Sequence, residues 1–222
     1  MRPSSLATPF LAAVLLLTAG CGPSAPKDGA APAAAVAPTA AAMEADLKTT
    51  LAAEPDFYVF KPLAELPADL AWQDGAALPE FADPKARKGG TFNYYIPDFP
   101  RTLRTIGPDA TGGIRPYLLD YVEPPFIAPH PNEAGGAYAG LVSSWAVGSD
   151  GKTIYYRIDP QARWSDGRPL TTDDVVFTLY FMRSPHLNEP WYNDYYKKYY
   201  RQLIVYDRLT FATVHPERKP DL

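Results

Sequence analysis

Arg163-Trp164-Ser165-Asp166-Gly167-Arg168-Pro169-Leu170-Thr171-Thr172-Asp173-Asp174-Val175-Val176-Phe177 reads as a tight turn that feeds a capped helix. Asp166-Gly167 followed by Pro169 is turn chemistry, because glycine accepts positive φ and proline presets its own. Thr171 to Asp174 then offer hydroxyls and carboxylates that accept the orphan N–H groups of a first helical turn and complement its dipole. The helix is predicted to stop at Met182-Arg183-Ser184, since Pro185 cannot continue it and disfavours helical geometry just before itself.

Working outward, Thr153 to Ile158 alternates, with Ile154, Tyr156 and Ile158 on one face and Thr153, Tyr155 and Arg157 on the other. That period predicts a half-buried strand, entered through Ser149-Asp150-Gly151-Lys152, whose Asp-Gly pair is a hairpin signal. A second hairpin is predicted where Leu203-Ile204-Val205 and Leu209 to Val214 flank Tyr206-Asp207-Arg208, with Leu209, Phe211 and Thr213 on a common face. Strand, turn, capped helix and hairpin together predict an α/β domain, a mixed sheet with flanking helices.

These residues carry a resemblance. The run Leu141 to Val147, then Ser149 to Thr153, then Arg163 to Phe177, resembles the signature region of extracellular solute-binding protein family 5, the oligopeptide-, dipeptide- and nickel-binding components of ABC importers. Upstream, Asp83-Pro84-Lys85-Ala86-Arg87-Lys88-Gly89-Gly90-Thr91-Phe92 is similar to the opening of that family's first core strand, above all in its microcin C and oligopeptide-binding branch. Downstream, Gln202 to Val214 resembles the strand pair after the signature helix. The likeness covers residues 81–222, and several ordered motifs are more specific than any one of them.

The resemblance implies the N-terminal part of a two-lobed, class II periplasmic-binding-protein-like fold. Such a protein closes on a solute, a peptide or similar small molecule, and presents it to an ABC permease in the membrane. It implies a monomer, no cofactor and no chemistry. It also implies that most of the second lobe is missing from this chain. The ligand-binding candidates left are Asn93, Tyr94 and Tyr95, expected at the end of the first strand, and Thr111, Gly112 and Gly113 in the loop from Asp109. Where the family has Leu-Asp-Pro after that strand, this chain has Leu103-Arg104-Thr105. Trp164, Asp166, Gly167, Asp173 and Asp174 read as architecture, identifying the fold without touching ligand.

At the other end of the chain, Arg2 precedes an apolar run from Phe10 to Leu17 and then Thr18-Ala19-Gly20-Cys21. The run is too short for a permanent span and has the form of an export signal over residues 1–20. Cys21, the only cysteine, stands where a lipoprotein signal places the lipidated residue, with an ordinary secretory signal as the alternative. Residues 21–42 are almost wholly Ala, Pro, Gly and Ser. Such a stretch buries too little to offset its ordering entropy and reads as a tether. Residues 43–80 read as an N-terminal extension and residues 81–222 as the solute-binding portion.

Composition excludes several classes. A formal charge of −4 over 222 residues, without basic blocks, gives no footprint for nucleic acid. His130, His186 and His215 are far apart and lack metal-ligand spacing. Asp166 and Asp174 could in principle act as an acid–base pair, but their neighbours are turn and cap signals. No Gly-x-Ser-x-Gly elbow or phosphate loop is present, so no catalytic residue is assigned. Tyr192, Tyr195, Tyr196, Tyr199 and Tyr200 recur at spacings of three and four, predicting one helical face that is either packed or a stacking platform. Beside the importer component, an envelope sensor or interaction lipoprotein on the same fold stays open, as does, more weakly, a carbohydrate-active enzyme.

Overall fold

A computed structural model describes residues 39–218 except 88, 92, 97, 98, 120, 121 and 188. The export signal, Cys21 and most of the tether therefore lie outside the described residues. Helix α1 (Ala40–Ala53) begins two residues before the expected end of the tether. The Thr39 hydroxyl accepts the N–H of Ala42 at 3.2 Å, and the alanines that follow have the highest helix propensity.

The chain then forms β1 (Tyr58–Phe60), a 3-10 turn (Leu63–Glu65), the short α2 (Arg115–Leu118), β2 (Ile127–Pro129) and β3 (Ala137–Ala139). It continues through β4 (Val142–Val147), β5 (Thr153–Ile158), α3 (Thr172–Arg183), α4 (Pro190–Tyr199), β6 (Gln202–Val205) and β7 (Thr210–Val214). The main sheet has the order β1-β6-β7-β5-β4, and β2 pairs with β3 in a separate ribbon. Only β1 runs parallel to its neighbour, so the sheet is mixed and the fold is α/β as the sequence implied.

Local chemistry explains the elements. Asp150 ends β4's hairpin by accepting the N–H groups of Lys152 and Thr153 at 2.8 and 2.9 Å and the Thr153 hydroxyl at 2.7 Å. Gly151 turns the chain at φ 66°, where a Cβ would also stand 2.6 Å from Arg218 Nε. Asp207 plays the same part between β6 and β7, accepting from Leu209 and Thr210. At the start of α3 the Asp174 carboxylate reaches back to the N–H of Thr171 at 2.8 Å, one half of a capping box.

β5 lies between β4 and β7, and both of its faces are covered, not one as its period suggested. On the helix side Ile158 joins Val175, Val176, Leu179, Tyr180, Leu203 and Phe211. On the other side Tyr155 joins Ala146, Ile204, Tyr206 and Ala212 beneath Leu66, Leu70 and Trp72. Arg157 escapes that layer by stacking its guanidinium 3.8 Å from the Trp72 ring centroid. Gln73 bridges to Trp145, capping the edge at β4.

Residues from the expected extension thus supply part of this sheet. Phe57 and Tyr58 are buried, β1 pairs with β6, and Arg183 stacks on Phe57 at 3.4 Å while pairing with Glu54 at 2.9 Å. By contrast, the first strand expected at 91–96 is not found. Its described residues, 91 and 93–96, belong to no strand, and Asn93, Tyr94 and Tyr95 are exposed. Nothing in that stretch alternates between a buried and an exposed face, so no sheet position selects it.

Candidate functional site

The structure separates the residues singled out from sequence. Tyr94 leans on Tyr117, with ring centroids 5.1 Å apart. Gly112 and Gly113 line a hollow of about 240 Å³ with Ile96, Phe99, Arg101 and Asp109. The chain around residue 96 and the loop at 109–114 are therefore brought together. Asn93, Tyr94, Tyr95 and Thr111 are not among the residues lining that hollow. Asp109 turns the loop at φ 61°, a left-handed conformation that Asp tolerates, and its carboxylate meets Arg101 at 3.3 Å. Both partners are largely exposed, so the pair adds little stability.

A better-formed cavity, about 340 Å³, lies between the sheet and helices α3 and α4. Tyr156 and Phe211 stack at 4.8 Å on its sheet side, and Tyr196 and Tyr200 stack at 5.4 Å on its α4 side. Burial pushes the hydroxyls of Tyr200, Tyr196 and Tyr156 upward, which keeps them protonated and removes them as bases. Trp164 and Asp174 also line it, with the indole N–H donating to Asp174 Oδ1 at 3.2 Å. Trp164, Asp174, Thr178 and Tyr196 line in turn a second, more polar cleft of about 600 Å³ that includes Arg115, Arg168 and Glu123. Trp164 and Asp174 read from sequence as architecture. They keep that role, and they also border both hollows, which becomes visible only once α4 is placed.

The tyrosines of α4 do not share one face. Tyr192 is buried, Tyr196 turns toward the cavity, and Tyr195 stacks outward on exposed Trp191 at 5.3 Å. Each histidine is engaged separately. His130 Nδ1 accepts the N–H groups of Asn132 and Glu133, so its proton sits on Nε2, which donates to Pro79 O. His186 meets Asp46 at 2.9 Å, and His215 meets the Tyr199 carbonyl and the Thr213 hydroxyl. Among the described residues no group of three His, Cys, Asp or Glu side chains is placed to hold a metal ion. No helix among them is long and apolar enough to cross a membrane. Asp166 is held below the usual carboxylate range by the Arg168 backbone N–H and guanidinium, while Asp174 is occupied with Thr171 and Trp164. Neither is set against a reacting group, and the arrangement suits binding.

Comparison with known proteins agrees with this architecture. Residues 136–218 match the model for bacterial extracellular solute-binding proteins, family 5 Middle. An uncharacterized protein of Sinorhizobium fredii, y4wM, is 30% identical over 129 residues, covering 58% of this chain and 19% of its own length. The peptidoglycan-binding protein YepA of Agrobacterium fabrum is 28% identical over 127 residues, covering 54% of this chain and 19% of its own length. The chain thus spans about a fifth of the length of the curated relatives it matches. Among solved structures, Haemophilus influenzae OppA complexed with RPPGFSPFR aligns over 43% of this chain and 21% of that chain, at 21% identity and a TM-score of 0.35. Residues 136–218, which include β3 to β7 with α3 and α4, carry the likeness to family 5 extracellular solute-binding proteins.

Proposed function

We propose that this chain forms part of an extracytoplasmic solute-binding protein that captures peptides, or solutes bearing a peptide, for an ABC permease. The observation that carries the reading is the family match over 136–218, which coincides with the sheet and helices that enclose the cavity. Peptide is the preferred class because YepA, related over more than half of this chain, is named for binding peptidoglycan, whose stems are peptides. In this reading the chain binds without chemistry, acts as a monomer, needs no cofactor or metal, and is held at the membrane by lipid on Cys21. Its capture surface includes Asn93 to Tyr95 and Thr111 to Gly113, closed by a second lobe supplied from a longer product.

The test is a thermal-shift and calorimetric titration against mixed peptides and cell-wall stem peptides, on this chain and on the longest product of its reading frame. A ligand at one hundred times its Kd that binds only the folded state adds about 2.7 kcal/mol of apparent stability, so modest affinity is visible. A shift with peptides supports capture. No shift in either product, with peptides, sugars or metal ions, sinks it. For the anchor, labelled palmitate is expected on the exported chain and lost in Cys21→Ser.

A further inference from the structure

The apolar cavity and the polar cleft share a wall, and their chemistry is complementary in a way that the family likeness does not assign. The cavity is lined by stacked rings and aliphatic side chains and holds about 340 Å³. Engineered apolar cavities of about 150 Å³ already take up benzene, so this one has room for an aromatic or large branched side chain. Trp164, Asp174, Thr178 and Tyr196 of its wall also line the cleft that contains Arg115. Arg115 is positioned by donating from Nη1 to the Tyr192 hydroxyl at 2.7 Å. Arg168, on the same cleft, is already paired with Asp166 at 2.7 Å. A guanidinium held by a hydroxyl beside a ring-lined hollow matches a ligand that joins a carboxylate to an apolar group.

We propose that these adjoining hollows bind an α-amino acid unit with a large apolar side chain and a free carboxylate. The side chain occupies the cavity between sheet and helices, and the carboxylate is taken by Arg115. The inference rests on the solute-capture reading and refines it to a preference for one kind of residue at a carboxyl terminus. A free amino acid and the last residue of a peptide present the same chemistry.

The experiment is a calorimetric titration of the purified chain with phenylalanine, phenylalaninamide, Ala-Phe, Ala-Phe amide and Ala-Ala. Ala-Phe is expected to bind at least tenfold more tightly than either its amide or Ala-Ala. Tighter binding of phenylalanine than of Ala-Phe assigns the site to free amino acids, and the reverse assigns it to peptide termini. Arg115→Gln is expected to erase the difference between acid and amide. Thr178→Trp, at an exposed helix position on the shared wall, is expected to block the cavity and erase the preference for Phe over Ala while the far-UV spectrum and Tm are kept. Equal affinity for acid and amide in the parent chain, or an unchanged Phe preference in Thr178→Trp, overturns the proposal. If peptides bind without regard to the last side chain, this site is wrong and solute capture stands. If neither amino acids nor peptides bind, both fall.

Discussion

Two stretches of similar apolar content behave in opposite ways. Between residues 142 and 215 most large side chains are inside, Trp164, Phe177, Trp191 and Tyr195 excepted: Phe211 is 1% exposed and Leu203 0%. Between residues 81 and 122 they are outside, with Phe99 95%, Leu103 68% and Tyr95 75% exposed. The difference is one of pattern. In the first stretch apolar residues recur at the periods of a strand or helix, so forming the element and burying its face are the same event. In the second, prolines, glycines and charges interrupt every period, and among the described residues the backbone forms only the short α2. Apolar content makes a core only where periodicity gives it one side.

Replacing Phe211 by Ala sharpens the comparison most. The ring stacks on Tyr156 and packs beneath α3, so its loss is expected to cost about 3–5 kcal/mol, read as a fall in the urea midpoint at constant m-value. Phe99→Ala removes a ring of the same size from an exposed site and is expected to change stability by less than about 0.5 kcal/mol. Equal losses would mean that the 81–122 stretch buries its apolar residues after all.

Gly75→Ala tests whether the link between the two stretches is as tightly built as the sheet. Gly75 has φ 73°, and a Cβ there would lie 2.2 Å from the Ala137 carbonyl oxygen in β3. Left-handed strain and a backbone clash together are expected to cost roughly 1–3 kcal/mol in the same unfolding assay. A neutral effect would show that the β2–β3 ribbon moves aside freely.

The comparison also explains how much of the molecule could be read from its sequence. β5, the β6–β7 hairpin and α3 were legible because each has a period and a chemical stop: Asp150-Gly151, Asp207, and Thr171 with Asp174 before Pro185. β1 was not, since three residues carry no period and its place beside β6 is set by Phe57 and Tyr58 filling the core well over a hundred residues before Leu203, the partner of Tyr58. Asn93 to Tyr95 were selected through likeness alone, with no local signal to place them. The ring-lined cavity was illegible for a different reason. Its wall comes from α3, α4, the turn at Trp164 and two strands, and no spacing along the chain records that convergence.

A cap should matter less than a core ring. Asp174→Ala removes the acceptor of the Thr171 N–H and of the Trp164 indole, and is expected to cost about 1 kcal/mol, typical of losing an N-terminal cap. A loss as large as that of Phe211→Ala would mean that the turn and helix start form one cooperative unit with the core, contrary to their partial exposure.

The smallest expected effect distinguishes the two stretches by pH. Burial raises the pKa of Asp150, but hydrogen bonds from the Thr153 hydroxyl and from the backbone of Thr153 and Lys152 outweigh it, and the carboxyl is held below its usual range. A lowered folded-state pKa contributes stability that is present above the unfolded value, about 4, and is lost as pH falls through the folded one. Asp150→Asn should therefore be less stable than the parent at pH 7, and the gap should narrow between roughly pH 4 and pH 2, where the other carboxylates titrate in both proteins and cancel. Asp109→Asn, in the loop where the carboxylate meets the exposed Arg101, should change stability at pH 7 by less than about 0.5 kcal/mol. Parallel curves for Asp150→Asn would mean that its turn holds through shape alone, leaving Gly151 as the residue that reverses the chain between β4 and β5.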